Sequence, residues 1–166
     1  MAEIPLSKGK VAIVDDADLA NVSIYKWHAV EKKGTWYAAR SETTGRYRHR
    51  QVYMHREILG LAPKVGTDHV NGDGLDNRRF NIRPATKAQN GRNTNGCRNR
   101  RSKFKGVSWH RDPKMAAGGR WRYRLHLGTR CIAGYARTEE EAAIGYNKLA
   151  RAHFGEFARL NEAANG

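Results

Sequence analysis

Cysteine is scarce in this chain of 166 residues: it has Cys97 and Cys131, and neither belongs to a CxxC pair. Two separate cysteines cannot form a four-thiolate metal site, so two reduced thiols in a cytosolic protein are the simpler interpretation. Apolar runs are short as well, and none approaches the roughly 20 residues needed to span a bilayer. The first six residues lack the charged-then-apolar order of a secretory signal. We therefore expect a cytoplasmic protein.

Acidic residues are also few, and the shortage is confined to one part of the chain. Residues 1–60 carry ten Lys/Arg against seven Asp/Glu, whereas residues 61–166 carry twenty-one against nine. Such a local excess is typical of proteins that bind the phosphate backbone of nucleic acid. An anionic membrane would instead require a basic helix with a bulky apolar face, and here the basic residues lie on a linker and on strands. We therefore expect a nucleic-acid partner and no membrane.

The low apolar content, 39% with a mean hydropathy of −0.80, favours small sheet-based modules over one large core. Residues 1–51 are predicted to form a small β-rich unit. Val11–Val14 is a strand, and a helix begins near Asp16. A hairpin joins strands at 26–30 and 35–40, and a further strand covers 47–54.

Residues 52–95 contain the most informative stretch, which runs from Thr67 to Asn90. Residues 65–70 are predicted to form a strand, and Asn-Gly-Asp-Gly at 71–74 a tight turn whose glycines supply positive φ. Residues 81–83 form a return strand, and Thr86 caps a short helix that includes Asn90. The pattern predicts a ββα unit.

This unit brings together the groups that metal-assisted phosphodiester hydrolysis requires. Asp68 offers an anionic oxygen and Asn90 a neutral one, a donor set that suits Mg(II), or Mn(II), better than Zn(II). His69 points away from Asp68 on an extended strand, and a neutral imidazole is an apt general base. Asn81 is expected to tie the turn together through bonds to the backbone. An Asp-His pair alone is more often structural, and 71–74 lacks the spacing and closing Glu of a calcium loop.

With the stretches 52–56 and 75–78, these residues resemble the HNH endonuclease superfamily, in particular its phage and intron-encoded homing members. The resemblance covers about forty residues. It implies a phosphodiester hydrolase of bacterial or phage-infected cells that nicks or cleaves duplex DNA at a recognised site. It further implies His69 as general base, Asn81 as the structural middle Asn, Asp68 and Asn90 as metal ligands, and His55 as a family histidine. Asn90 stands where many relatives have His, an H-N-N version that favours magnesium.

Residues 96–102 have the composition of a basic linker, and 103–162 show a sheet pattern. From Trp121 to Leu127, apolar residues alternate with Arg122, Arg124 and His126, which places the two sets on opposite faces of a strand. Flanking strands at 106–110 and Arg130–Ala136 complete a three-stranded antiparallel sheet. Thr138 and Glu141 form a capping box that opens a helix against one face.

The C-terminal segment resembles the plant APETALA/ethylene-response-factor DNA-binding domain, on residues 105–109, 134–135, 138–143 and 153–158. That family lays its sheet in the major groove, although Ser108 and Ile132 depart from the usual Arg and Trp. The basic arm and the resemblance together imply a set of DNA-binding candidates. These are Arg92, Arg98, Arg100, Arg101, Lys103, Lys105, Ser108, His110, Arg122, Arg124 and Arg130.

We therefore predict an α+β protein with a β-rich N-terminal unit, a ββα-metal nuclease core and a C-terminal sheet packed on one helix. Its predicted function is metal-dependent cleavage of double-stranded DNA, as a monomer that needs no obligate protein partner. A sequence-specific DNA-binding regulator with a vestigial nuclease centre is the alternative. RNA cleavage is less favoured because the deep major groove of A-form RNA does not admit such a sheet.

Overall fold

The computed structural model describes residues 1–62, 64–94 and 102–162. They fall into two compact units, Met1–Asn90 and Gly91–Gly166, each with a hydrophobic core of its own. Within these residues, small antiparallel sheets and four α-helices give the α+β class that the sequence predicts. Cys97 and the candidates Arg98, Arg100 and Arg101 lie outside the described residues. Within the described ranges, no helix has both the length and the apolar character needed to cross a bilayer.

The first unit begins with a small hairpin. Strand β1 (Ala2–Pro5) pairs antiparallel with β2 (Val11–Val14), and α1 (Asp16–Ser23) follows. The sequence predicts β2 and α1 but not β1. Alternate residues of β2 are fully buried against α1, and the indole Nε1 of Trp27 donates to the Val22 carbonyl at 2.8 Å.

A second sheet contains β3 (His28–Lys32), β4 (Thr35–Gly45) and β5 (Arg48–Tyr53), in that order and antiparallel. Its first turn has φ of 52° at Lys33 and 78° at Gly34, the positive values that a two-residue hairpin requires. Helix α2 (Met54–Leu59), which the sequence does not predict, follows β5 and ends at Gly60 in the left-handed conformation.

The predicted ββα unit is present as β6 (Thr67–His69), β7 (Ile82–Pro84) and α3 (Lys87–Arg92). Thr86 begins α3 with a capping box, because Gln89 N donates to its Oγ1 at 3.2 Å and its own N donates to Gln89 Oε1 at 2.8 Å.

The ββα unit does not fold apart from the strands before it. Ile13 of β2 donates to the Leu75 carbonyl at 2.9 Å and accepts from Asn77 N at 2.8 Å. Ile82 of β7 packs in the same core as Val14 and Val22. The expected boundary at residue 51 therefore marks a change of motif within one compact unit.

The turn at 71–74 differs from the sequence-based expectation that both of its glycines have positive φ. Gly72 has the expected positive φ of 80°, but Gly74 does not have positive φ. Gly74 is instead buried where a Cβ atom would lie 2.4 Å from the Trp36 carbonyl oxygen and 2.5 Å from the Tyr37 ring. Its lack of a side chain allows the turn to pack directly on β4.

Gly74→Ala is therefore expected to lower the free energy of unfolding by about 3 kcal/mol, since backbone and ring must both move. Gly72→Ala, with nothing within 4 Å of its added Cβ, should cost about 1 kcal/mol, from backbone conformation alone. Urea unfolding of the two variants measures the difference. Equal losses would contradict the close-approach explanation.

The predicted three-stranded sheet packed on one helix is confirmed in the second unit. Strands β8 (Val107–Arg111), β9 (Gly119–Leu127) and β10 (Arg130–Ala136) are antiparallel, with β9 in the centre. Helix α4 (Glu139–Phe154) opens with the predicted Thr138–Glu141 capping box and ends at Gly155. The helix packs on the face of the sheet that carries Val107 and Leu125.

Candidate nuclease site

His69 lies at the end of β6 in a cluster of four rings. Its imidazole meets that of His55 with ring centroids 4.8 Å apart and planes at 84°. Tyr37 lies edge-on to both, at 5.8 Å from His69 and 6.1 Å from His55. Tyr53 stacks on His55 at 5.5 Å. The cluster joins β4, β5, α2 and β6 around the histidine that the sequence singles out.

Burial in this cluster keeps both imidazoles neutral near pH 7. Burial, and after it the neighbouring His69, lowers the pKa of His55 to about 3. Nδ1 of His55 is buried with no hydrogen-bond partner among the described residues. Burial also lowers the pKa of His69, while a hydrogen bond with the Asn77 side chain and the charge of the Asp68 carboxylate oppose the shift. A neutral His69 is the form that accepts a proton.

Asn81 is almost fully buried and bonds to the loop in two places. Its Oδ1 accepts from Asn71 N at 2.9 Å, and its Nδ2 donates to the Asp76 carbonyl at 2.7 Å. The Asn81 carbonyl also accepts from Val70 N, next to His69, at 2.8 Å. These are side-chain to backbone bonds of the kind that the sequence predicts, and they close the loop directly after His69.

Two ion pairs hold the same loop, one within it and one to helix α1. Asp76 accepts from Arg78 Nε at 2.8 Å and from its Nη2 at 2.7 Å, and the Arg78 guanidinium lowers the pKa of that carboxyl. Arg79 reaches buried Asp18 of α1 with its Nε at 2.8 Å and its Nη2 at 2.6 Å. The backbone N of Arg79 donates to Asp15 Oδ2 at 2.8 Å. The N-terminal helix therefore fixes the loop that supports His69.

Asp68 and His69 point to opposite faces of β6, as predicted. Asp68 is buried and lies opposite Arg83 in the strand register. Its Oδ2 accepts from Arg83 Nη2 at 2.8 Å and from Nε at 3.1 Å. Asn90 is exposed, and its Nδ2 donates to the carbonyl of Thr67, which directly precedes Asp68, at 3.0 Å. The amide of α3 and the carboxylate of β6 thus belong to one end of the ββα unit.

The side chains of Asp68 and Asn90 carry oxygen donors, the donor type that hard divalent cations prefer. Among the described residues, no group of three or more His, Cys, Asp and Glu side chains is placed to hold a metal ion. One carboxylate and one amide oxygen suit Mg(II), which keeps several waters or substrate oxygens in its shell. The cavity lined by Asn90 and Gln89 also exposes Lys64 and Lys87, which favours an anionic occupant.

The second unit presents a cationic face. The side of its sheet away from α4 carries Ser108 and His110 of β8, opposite Arg122 and Arg120 of β9. Tyr135 of β10 completes this face, with the Arg120 guanidinium 4.0 Å from its ring centroid. Arg124 follows in the same register, opposite Ala133. We call this surface the open face.

Four other DNA-binding candidates lie elsewhere. Lys105 Nζ donates to the carbonyls of Arg92 and Thr94 at 2.7 and 2.5 Å, and burial lowers its pKa to about 8. The Arg92 guanidinium lies over the Phe154 ring. Lys103 is exposed beside Glu140 at 3.5 Å. Arg130 stands opposite Leu127, on the α4 side of the sheet, so it is not part of the open face.

Several residues of these sites are not among those predicted from the sequence. Arg120 continues the alternation that begins at Trp121, so one more residue of the same period finds it. Arg83 faces Asp68 only in the observed register. Tyr37 and the Asp18–Arg79 pair have no local signal, because their partners lie far along the chain.

Comparison with known proteins identifies the family to which the chain is similar. A curated relative from Acanthamoeba polyphaga mimivirus, named as an uncharacterized HNH endonuclease, is 32% identical over 152 residues. The similarity covers 86% of this chain and 74% of the relative, so it includes residues of both units. No protein-family model matches the chain, and no solved structure matches it. With this identity and coverage, the chain belongs to the HNH endonuclease family.

Proposed function

We propose that the chain is a metal-dependent endonuclease that hydrolyses phosphodiester bonds of double-stranded DNA, with His69 as the general base. The observation that carries the proposal is the buried imidazole of His69, which contacts the rings of His55 and Tyr37 and directly follows Asp68 on β6. An excess of basic residues and membership of the HNH endonuclease family support DNA as the substrate. Cleavage at one recognised site, as a homing-type enzyme, is part of the same proposal.

The residues of the site divide the reaction between them. His69 accepts the proton of the attacking water, and the ring cluster of Tyr37, Tyr53 and His55 orients its imidazole. Asn81 acts as a positioning residue, because it closes the loop that follows His69. Asp68 and Asn90 would hold Mg(II), or Mn(II), whose chemistry is to neutralise the scissile phosphate and the leaving oxygen. His55 is proposed to act through His69, since the two rings are in contact.

A metal-rescue experiment tests the role of Asn90. Asn90→Cys is expected to lower the single-turnover cleavage rate with Mg(II) by roughly 100-fold, since thiolates bind soft metals and magnesium prefers oxygen. Addition of Cd(II) should restore activity to the variant and not increase that of the wild type. Ala88→Cys, at an exposed position of α3 outside the cavity lining, is the control and should keep its Mg(II) activity. Full Mg(II) activity in Asn90→Cys would remove Asn90 from the metal site.

The open face is proposed to bind the DNA backbone and groove. With about six phosphate contacts in all, the affinity should fall with salt at a log–log slope of roughly −5. Arg122→Ser/Arg124→Ser is expected to reduce that slope by roughly two, because each lost contact releases about one counterion fewer. Lys26→Ser/Lys148→Ser, which removes two exposed charges elsewhere, should leave it unchanged. Equal slopes in the two double variants would show that the open face does not contact DNA phosphates.

The alternative function is a DNA-binding regulator whose nuclease centre is vestigial. The contact between Arg83 and Asp68 favours it, because a guanidinium can satisfy a buried carboxylate without a metal. A strong footprint on duplex DNA, with no strand scission in Mg(II) or Mn(II), would support the regulator. Scission that depends on His69 would exclude it.

A further inference from the structure

The β4–β5 hairpin extends beyond the sheet to which it belongs. Strand β3 pairs with β4 only from Thr35 to Ala39, whereas β4 and β5 continue together past that point. Residues 40–52, which we call the ribbon, therefore form a two-stranded structure without β3. At about 3.3 Å per residue, five to six paired residues project by roughly 17–20 Å. Every residue from 43 to 51 is exposed, so the ribbon buries no core of its own.

The tip of the ribbon has the composition of a nucleic-acid contact. Residues 43–51 contain three arginines and a histidine and no acid. Tyr47 is 83% exposed, and the Arg46 guanidinium lies 5.7 Å from its ring centroid. A hairpin needs polar residues to remain soluble, but it does not need an exposed aromatic ring between two arginines. Exposed Tyr and Arg together are typical of binding surfaces.

The arginines at the tip differ from those nearer the base. Arg50 pairs with Glu42 across the strands, and Arg40 pairs with Glu57 of α2 at 2.9 Å. These pairs brace the ribbon. Arg46 and Arg48 make no ion pair with the described residues, so their charges face solvent and remain available to phosphates.

The base of the ribbon lies at the candidate nuclease site. Tyr53, the last residue of β5, stacks on His55, and His55 contacts His69. DNA held by the ribbon would therefore run from the tip toward His69. A B-DNA major groove is about 12 Å wide and admits a two-stranded ribbon.

We propose that the ribbon is a DNA-binding arm of the first unit, which lies in a groove of the duplex beside the scissile bond with Arg46 and Arg48 on phosphates and Tyr47 against the groove. The proposal depends on the proposed function for its substrate. At 3.4 Å per base pair, the arm would contact DNA up to about five base pairs to one side of the cleavage position. The arm belongs to the first unit and shares no residue with the open face of the second.

The test compares full-length Arg46→Ser/Arg48→Ser with the Lys26→Ser/Lys148→Ser control on a duplex that the wild type binds, in the absence of divalent metal. The ribbon variant is expected to lower affinity roughly 10- to 100-fold at moderate salt and to reduce the log–log salt slope by roughly two. Its footprint should lose protection over about five base pairs on one side. Arg46→Lys/Arg48→Lys should keep the slope, because the charges remain.

Three outcomes decide the proposal. A ribbon variant with the slope and footprint of the control overturns it, while leaving cleavage by the wild type intact. A wild type that binds through the ribbon but never cuts DNA overturns the proposed function and retains the arm. A wild type that binds no duplex DNA overturns both.

Discussion

His69→Ala is expected to lower the single-turnover cleavage rate by about 10²–10⁴-fold, the usual contribution of a general base. Its imidazole is buried and neutral, and no other described histidine except His55 touches it. DNA affinity should stay within about twofold, since the cationic surfaces are unchanged. Rates at saturating protein, measured with gel-resolved DNA, give the comparison.

His153→Ala is the matched control for that experiment. His153 is exposed on α4 of the second unit, so its loss should change neither cleavage nor binding. An unchanged cleavage rate in His69→Ala would show that His69 is not the general base. A parallel loss of cleavage and DNA binding would instead indicate that the substitution unfolds the first unit.

The free energy of unfolding of the first unit is expected to fall as the pH is lowered. The loss should begin near the unfolded pKa of histidine, about 6.5, at a pH where most carboxylates are still ionised. The pKa of His55 is about 3 in the folded chain and about 6.5 when unfolded. Between these values the unfolded state binds more protons, so the free energy of unfolding falls as pH falls. The loss from His55 should approach about 1.4 kcal/mol per pH unit, and His69, whose pKa is also lowered, adds to it.

Urea unfolding between pH 4 and 7 measures this slope. Replacing Trp109 and Trp121 with Phe leaves Trp27 and Trp36 as fluorescent reporters of the first unit. His55→Phe should reduce the slope by the share of one histidine, whereas His49→Gln, at an exposed ribbon position, should not. An unchanged slope in His55→Phe would mean that His55 is not buried as a neutral ring.

Local patterns predict the parts of the fold whose partners are near in sequence. The alternation from Trp121 to Leu127 predicts β9, and the Thr138–Glu141 capping box predicts the start of α4. Strand β1 and helix α2 are missed. Helix α2 has only six residues and follows directly on a strand, so its period is too short to recognise.

The reactive side chains of the candidate site can be predicted from the sequence. The residues that hold those side chains in place cannot. Asp68, His69, Asn81 and Asn90 appear in the sequence as a spaced motif. The rings around His69 come from β4, β5 and α2, and the loop is held by Asp18, 61 residues before Arg79. Such long-range contacts leave no periodic signal. Gly74 is a further example. A glycine is needed there because the Tyr37 ring approaches closely, and the turn conformation alone does not require one.

The most direct test of the account is digestion of bacterial or phage genomic DNA by the purified chain with Mg(II), followed by sequencing of the new ends. The proposed endonuclease activity predicts ends at one or a few defined positions, present with the wild type and absent with His69→Ala. Intact DNA at protein concentrations that give a footprint, with Mg(II) and with Mn(II), would contradict it.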